Sequence, residues 1–101
     1  MSELSSAQRK ELRSLAHHLD PVVLIGNRGV IDSVIDSIDT ALTAHELIKI
    51  RFNERKTEKK ELSAQIAEAT ESQIAGIIGH VAIFYREHPK ADKRKIKLKS
   101  S

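Results

Sequence analysis

Cysteine is absent from the 101 residues, which excludes disulfides, thiolate catalysis and cysteine-ligated zinc together and leaves the compartment open. Tryptophan is absent too, and the aromatic residues are only Phe52, Phe84 and Tyr85. Three rings are too few for a platform on which several bases could stack. No apolar run approaches the roughly 18 residues that a membrane-spanning helix needs, and the basic segment lacks the apolar anchors of a surface-bound amphipathic helix. Met1-Ser2-Glu3-Leu4-Ser5 lacks the basic-then-apolar order of a secretory signal, so the cytoplasm is the expected compartment. The patterns H-x-x-x-H, G-x-x-x-x-G-K-S/T and G-x-S-x-G are all missing. His17 and His18 are neighbours and point apart on a helix, and His45, His80 and His88 stand alone. No catalytic residue, metal or cofactor is expected.

What the chain does have is an uneven charge. The net is +3. Residues 1–50 carry five Lys/Arg against seven Asp/Glu, whereas residues 86–101 carry seven against two. The end of the chain therefore holds more than the whole net charge, and the rest is slightly acidic. A concentrated basic segment on such a body points to an anionic partner. With so few rings, contacts to nucleic acid should fall mostly on its backbone. The length suits one domain with one core: residues 1–87 as the folded body and 88–101 as a basic tail.

Periodicity gives the elements. Ser5-Ser6-Ala7-Gln8 has the form of a capping box, and Leu12, Leu15, Ala16 and Leu19 recur at helical spacing, so a helix is expected over residues 6–18, closed by Asp20-Pro21. Arg9, Lys10 and Arg13 lie off that stripe, as a solvated face or a binding surface. Val22-Val23-Leu24-Ile25 reads as an interior strand. A second helix carries Ile31, Val34, Ile35, Ile38 and Leu42 inward. Asp32, Asp36 and Asp39 share another of its faces, read as solvated and repellent to phosphate. Ile48, Ile50 and Phe52 alternate with outward Lys49 and Arg51 in a second strand. Thr57 is the expected cap of a third helix with Leu62, Ile66 and Ala69 inside. Arg55, Lys56, Lys59 and Lys60 crowd its start, where cations oppose the helix dipole. Residues 74–78 and 81–85 read as a hairpin around Gly79-His80 with a type II′ turn, Gly76 weakening its first strand. The order is α-β-α-β-α-β-β, an α/β (α+β) domain in which strands joined by helical crossovers pair in parallel or mixed fashion. The tail, with Lys93, Arg94, Lys95 and Lys97, reads as mobile, with Ile96 and Leu98 able to dock as a short edge strand.

Between the first strand and the second helix stands Gly26-Asn27-Arg28-Gly29. Glycine permits positive φ and close approach of another backbone. The helix that follows aims unpaired N–H groups and a partial positive charge at its own start, and Arg28 adds a planar cation. A plain turn and an anion site are both open from these four residues alone.

Five separated segments resemble the CRM (chloroplast RNA splicing and ribosome maturation) domain, in particular the bacterial stand-alone YhbY-type proteins. They are residues 14–19 (SLAHHL), 21–29 (PVVLIGNRG), 45–50 (HELIKI), 78–86 (IGHVAIFYR) and 93–98 (KRKIKL). The resemblance implies a single compact domain with a four-stranded mixed sheet packed with helices, similar to the C-terminal domain of translation initiation factor three. It implies RNA binding through Gly26, Asn27, Arg28 and Gly29, used much as KH domains use their G-x-x-G loop. It also implies association with ribosomal RNA in precursor large ribosomal subunits; separately, a monomer is the expected state. Arg9, Lys10, Arg13, Arg55, Lys56, Lys59, Lys60, Lys93, Arg94, Lys95 and Lys97 would extend the contact. Two positions depart from the family pattern: Ile31, where Thr or Ser often caps the helix, so that Asp32 is expected to take that role, and Gly76, where a bulkier residue is usual. The alternative is a protein-interaction module that docks on ribosomal proteins or assembly factors, the tail adding only non-specific attraction.

Overall fold

Helix α1 (Ser6–Ala16) starts on the capping box that its sequence encodes. Gln8 N donates to Ser5 Oγ at 3.1 Å, and Ser5 N donates to Gln8 Oε1 at 3.0 Å. Strand β1 (Pro21–Ile25), helix α2 (Asp32–His45), strand β2 (Leu47–Phe52), helix α3 (Lys59–Thr70) and the β3 (Gln73–Ile78)–β4 (Val81–Tyr85) hairpin follow in the expected order. The computed structural model describes residues 3–98. Lys99 of the basic run lies outside them.

The four strands line up as β1-β2-β4-β3, with β1 parallel to β2 and the other two pairings antiparallel. The alternation of β2 divides its side chains between two cores. Ile48, Ile50 and Phe52 join Ile25, Ile38, Leu42, Ile66, Ala82 and Phe84 beneath α2 and α3. Leu47, on the opposite face, joins Leu4, Leu12, Ala16, Ala75, Ile83 and Tyr85 beneath α1. Truncating a fully buried ring such as Phe52 or Phe84 would cost about 3–5 kcal/mol. In the hairpin, φ is positive at Gly79 and not at His80, as a type II′ turn requires.

Several expectations need correction. The first strand is an edge strand, not an interior one, and Val22 and Leu24 are 48% and 56% exposed. Helix α1 ends at Ala16, and Leu15 and Leu19 turn to solvent while Leu4 takes a place in the core. Thr57 does not cap α3. Arg55, in the left-handed region at φ 55°, precedes a tight turn over Lys56–Glu58 that carries Thr57, and Glu58 stands at the cap position, its side chain making no capping bond to the helix. Ala69 is exposed, and Thr70 is buried in its place, its Oγ1 donating to Ile66 O at 2.8 Å. Asp32 is the first residue of α2, with Ile31 at the cap position and no side-chain bond there.

The described part of the tail, residues 88–98, lies against the body and is not a strand. Glu46 holds it. This carboxylate is 1% exposed and accepts from the backbone N–H groups of His88, Lys95 and Ile96, and Ile96 and Leu98 pack on the α1-side core. Glu46 itself sits at φ 63°, an unfavourable conformation for a residue with a side chain.

Candidate nucleic-acid interface

One end of the sheet gathers three connections: the 26–29 loop after β1, the 53–58 segment after β2, and the β3–β4 hairpin. Parallel strands β1 and β2 both end there, the end at which open α/β sheets place their ligands. The Ile25 carbonyl accepts from Asn53 N at 3.0 Å and Glu54 N at 3.2 Å, which binds the second connection to the foot of the first.

Gly29 N donates to Gly26 O at 3.0 Å, closing a four-residue turn, and Gly29 lies at φ 73°. The two glycines serve different ends. A β-carbon on Gly29 would stand 3.1 Å from Arg55 Cδ and Nε, whereas one on Gly26 would meet nothing within 4 Å. Gly29 is thus required by conformation and packing. Gly26 leaves bare backbone open to an approaching chain. Asn27 and Arg28 are exposed, and Arg28 forms no hydrogen bond or ion pair among the described residues. The first turn of α2 follows within three residues, its N–H groups uncapped by any side chain. Asp32 in that turn offsets part of the positive end of the dipole.

Arg55 has a role that sequence reasoning missed. Its Nε donates to Asn27 O at 2.8 Å and its Nη1 pairs with Glu58 at 3.2 Å, so it braces the loop from behind. Lys59 Nζ donates to the Gly79 carbonyl, joining α3 to the hairpin. Lys56 and Lys60 are exposed beside it. Arg51 and His80, absent from the sequence-based candidates, complete the group. Arg51 faces outward with its Nε 3.2 Å from Asn53 Oδ1. Partial desolvation, then the Lys59, Lys56 and Arg51 cations, hold the His80 imidazole below the ordinary histidine value. The outward alternation of Arg51 was the sequence signal for it; His80 had none beyond its place in the turn.

The other candidates stand elsewhere. Arg9 donates to Leu4 O at 2.8 Å, and Arg13 to Ala75 O at 2.9 Å, so both guanidiniums brace structure; Lys10 is exposed. Arg94 is tied to His88 O and Glu87, and Lys95 Nζ to Ala44 O. Lys93 and Lys97 are exposed. This tail is fixed by Glu46 at the start of β2, whereas the loop lies past its end. A six-residue strand separates them by roughly 17–20 Å. The structure therefore brings Gly26, Asn27, Arg28 and Gly29 together with Arg55, Lys56, Lys59 and Lys60, and not with the tail. Of the acidic row on α2, Asp39 is engaged by Arg86, which also donates to Thr43 Oγ1 and Thr70 O at 2.8 Å each and so pins α2 to the end of α3.

Known proteins are similar to this chain over most of its length. The model of the CRS1 / YhbY (CRM) domain matches residues 4–86. A Haemophilus influenzae protein named RNA-binding protein is 38% identical over 93 residues, covering 90% of this chain and 93% of its own. The probable RNA-binding protein YqeI of Bacillus subtilis is 35% identical, covering 83% and 88%. The solution structure of a Staphylococcus aureus protein superposes with a TM-score of 0.78 at 35% identity, covering 94% of this chain and all of that one.

Proposed function

The chain belongs to the CRS1 / YhbY (CRM) domain family, and on that premise we propose that it binds ribosomal RNA in precursor large ribosomal subunits and assists their assembly in the cytoplasm as a monomer. The 26–29 loop holds the phosphate backbone, and Lys56, Lys59 and Lys60 extend the grip. The observation that carries this reading is the built state of the loop: a closed turn at Gly29, braced by Arg55, that turns Asn27, Arg28 and bare Gly26 outward. Phosphate oxygens meet backbone amides, a guanidinium and ammonium groups there, which positions RNA without reading its sequence. Replacing Asn27 and Arg28 together by Asp tests it. Affinity for ribosomal RNA is expected to fall several-fold or more, and the dependence of log K on log salt to flatten by about 0.7 for each phosphate that is no longer neutralised. Unchanged affinity in a folded variant removes the loop from the site.

A second reading, docking on a ribosomal protein or assembly factor, draws support from the apolar groove of Leu15, Leu19, Val22, Leu47 and Ile96. Neutralising Lys93, Arg94 and Lys97 separates the two better than cutting the tail, because a cut at residue 90 would uncover the core beneath Ile96 and Leu98. If docking dominates, the neutralised protein keeps its association with pre-ribosomes in high salt and loses affinity for free RNA.

A further inference from the structure

Helix α1 covers only part of the sheet face it packs on. The strand register places Leu24 beside Arg51, Arg51 beside Val81, and Val81 beside Ile78, one row across all four strands. The next row inward on this face, Lys49, Ile83 and Gly76, is shielded by α1, with Arg13 lying over Gly76. The outer row has no such cover. Leu24 is 56% and Ile78 61% exposed, Arg51 is exposed and Val81 half-buried. It borders the end of the sheet that carries the 26–29 loop, Lys56, Lys59 and His80. Neither row contains a carboxylate.

An apolar strip centred on a guanidinium and rimmed by cations fits a ligand with flat apolar faces on an anionic backbone. All three aromatic side chains are buried in the cores, Phe52 and Phe84 completely and Tyr85 all but completely, so none can stack on a ligand. Contact with a base would then come from aliphatic side chains and the Arg51 plane, which can stack as an aromatic ring does. A duplex keeps its bases inside and cannot use the strip. The four-stranded width, about 15 Å across three gaps, matches sheet faces that seat two or three splayed bases.

Resting on the reading of the loop as a phosphate site, we infer that the row Leu24, Arg51, Val81 and Ile78 seats unpaired bases of a single-stranded RNA segment whose backbone the loop holds. The test uses the full chain, a short single-stranded RNA, its duplex, and an abasic oligomer with the same number of phosphates. The base-containing single strand is expected to bind about fivefold or more tighter than the abasic one, and tighter than the duplex. Leu24→Ser with Ile78→Ser, both at exposed positions, should remove that advantage and leave abasic binding unchanged. A 2-aminopurine placed in the strand should change its fluorescence on binding the natural protein and not the variant. Equal affinity for abasic and base-containing strands, or a duplex bound as tightly, overturns the inference while loop-dependent binding stands. Loss of high-salt association with ribosomal particles in the double-serine variant, with RNA binding intact, overturns it in favour of a protein on this face. If Asn27→Asp with Arg28→Asp leaves all three ligands bound as before, the loop reading and this inference fall together.

Discussion

Arg55 Nε stands 3.1 Å from the point where a β-carbon on Gly29 would lie, and the same nitrogen donates a 2.8 Å hydrogen bond to the Asn27 carbonyl. The glycine and the arginine are thus two halves of one device: the space that Gly29 leaves empty is the space through which Arg55 reaches the loop. Gly29→Ala meets two costs, the positive φ, about 1–2 kcal/mol, and the displaced guanidinium. Urea melts should record the first cost in both backgrounds, and the second only while Arg55 is present. Arg55→Ala should change stability by less than about 1 kcal/mol, as partly exposed ion pairs do, yet weaken RNA binding several-fold. Arg55→Lys should not restore the affinity, since a lysine lacks the planar fork that reaches Asn27. Full rescue by lysine would mean that only charge matters there.

Arg13 and Gly76 repeat the relationship on the sheet. A β-carbon on Gly76 would come within 2.6 Å of Arg13 Cδ, and Arg13 Nη1 bonds Ala75 O, the residue bulged out between the Ile74 and Gly76 pairings. The absence of a bulkier residue at 76 is therefore compensated by an arginine stem covering the strand. A double-mutant cycle checks this. Gly76→Val should destabilise the natural chain, and less so when Arg13 is Ala, with a coupling of about 1 kcal/mol. Additive effects would sink the pairing.

Local signals were legible and shared surfaces were not. The Ser5–Gln8 box, the alternation of Ile48, Ile50 and Phe52, and the Gly79-His80 turn each depend on a few neighbouring residues, and each formed as expected. Val22 and Leu24 read as interior because an apolar run does not reveal whether a helix will cover its second face, and α1 stops short of it. The basic residues were legible as charges but not as tasks. Arg9 and Arg13 are hydrogen-bonded to backbone 5 and 62 residues away, and Arg55 to backbone 28 residues away. Nor does any local pattern identify Glu46 as the anchor of a segment that begins 42 residues later.

Glu46 is expected to be the most sensitive polar residue outside the loop. Its carboxylate serves three backbone N–H groups, from His88, Lys95 and Ile96, and is almost wholly buried. Glu46→Ala would leave three donors unpaired, a loss of about 2–4 kcal/mol after partial rescue by water. Amide exchange should accelerate at residues 88, 95 and 96 before it does at β2 or β4. If these amides exchange at the natural rate in Glu46→Ala, the carboxylate is not the anchor.

His80 gives the loop end a dependence on pH that can be signed in advance. Partial desolvation and the cations of Lys59, Lys56 and Arg51 hold its proton affinity below the ordinary histidine value near 6.5. Around pH 7 it is therefore neutral. The folded state binds this proton less readily than the unfolded chain, so its contribution to stability is present above pH 6.5 and is lost as pH falls through that value and then through the lower folded one. Binding runs the other way. A phosphate brought among these cations offsets their repulsion and favours the imidazolium, so RNA binding takes up a proton. Affinity should rise as pH falls from about 7.5 toward 5.5, by tenfold for each unit that the bound value exceeds the free one. His80→Asn separates the effect at the loop end from any proton uptake elsewhere in the complex. Titrations at matched ionic strength should show the rise in the natural protein and a nearly flat profile in His80→Asn. An equal rise in both would place the proton uptake elsewhere and remove the hairpin from the RNA contact.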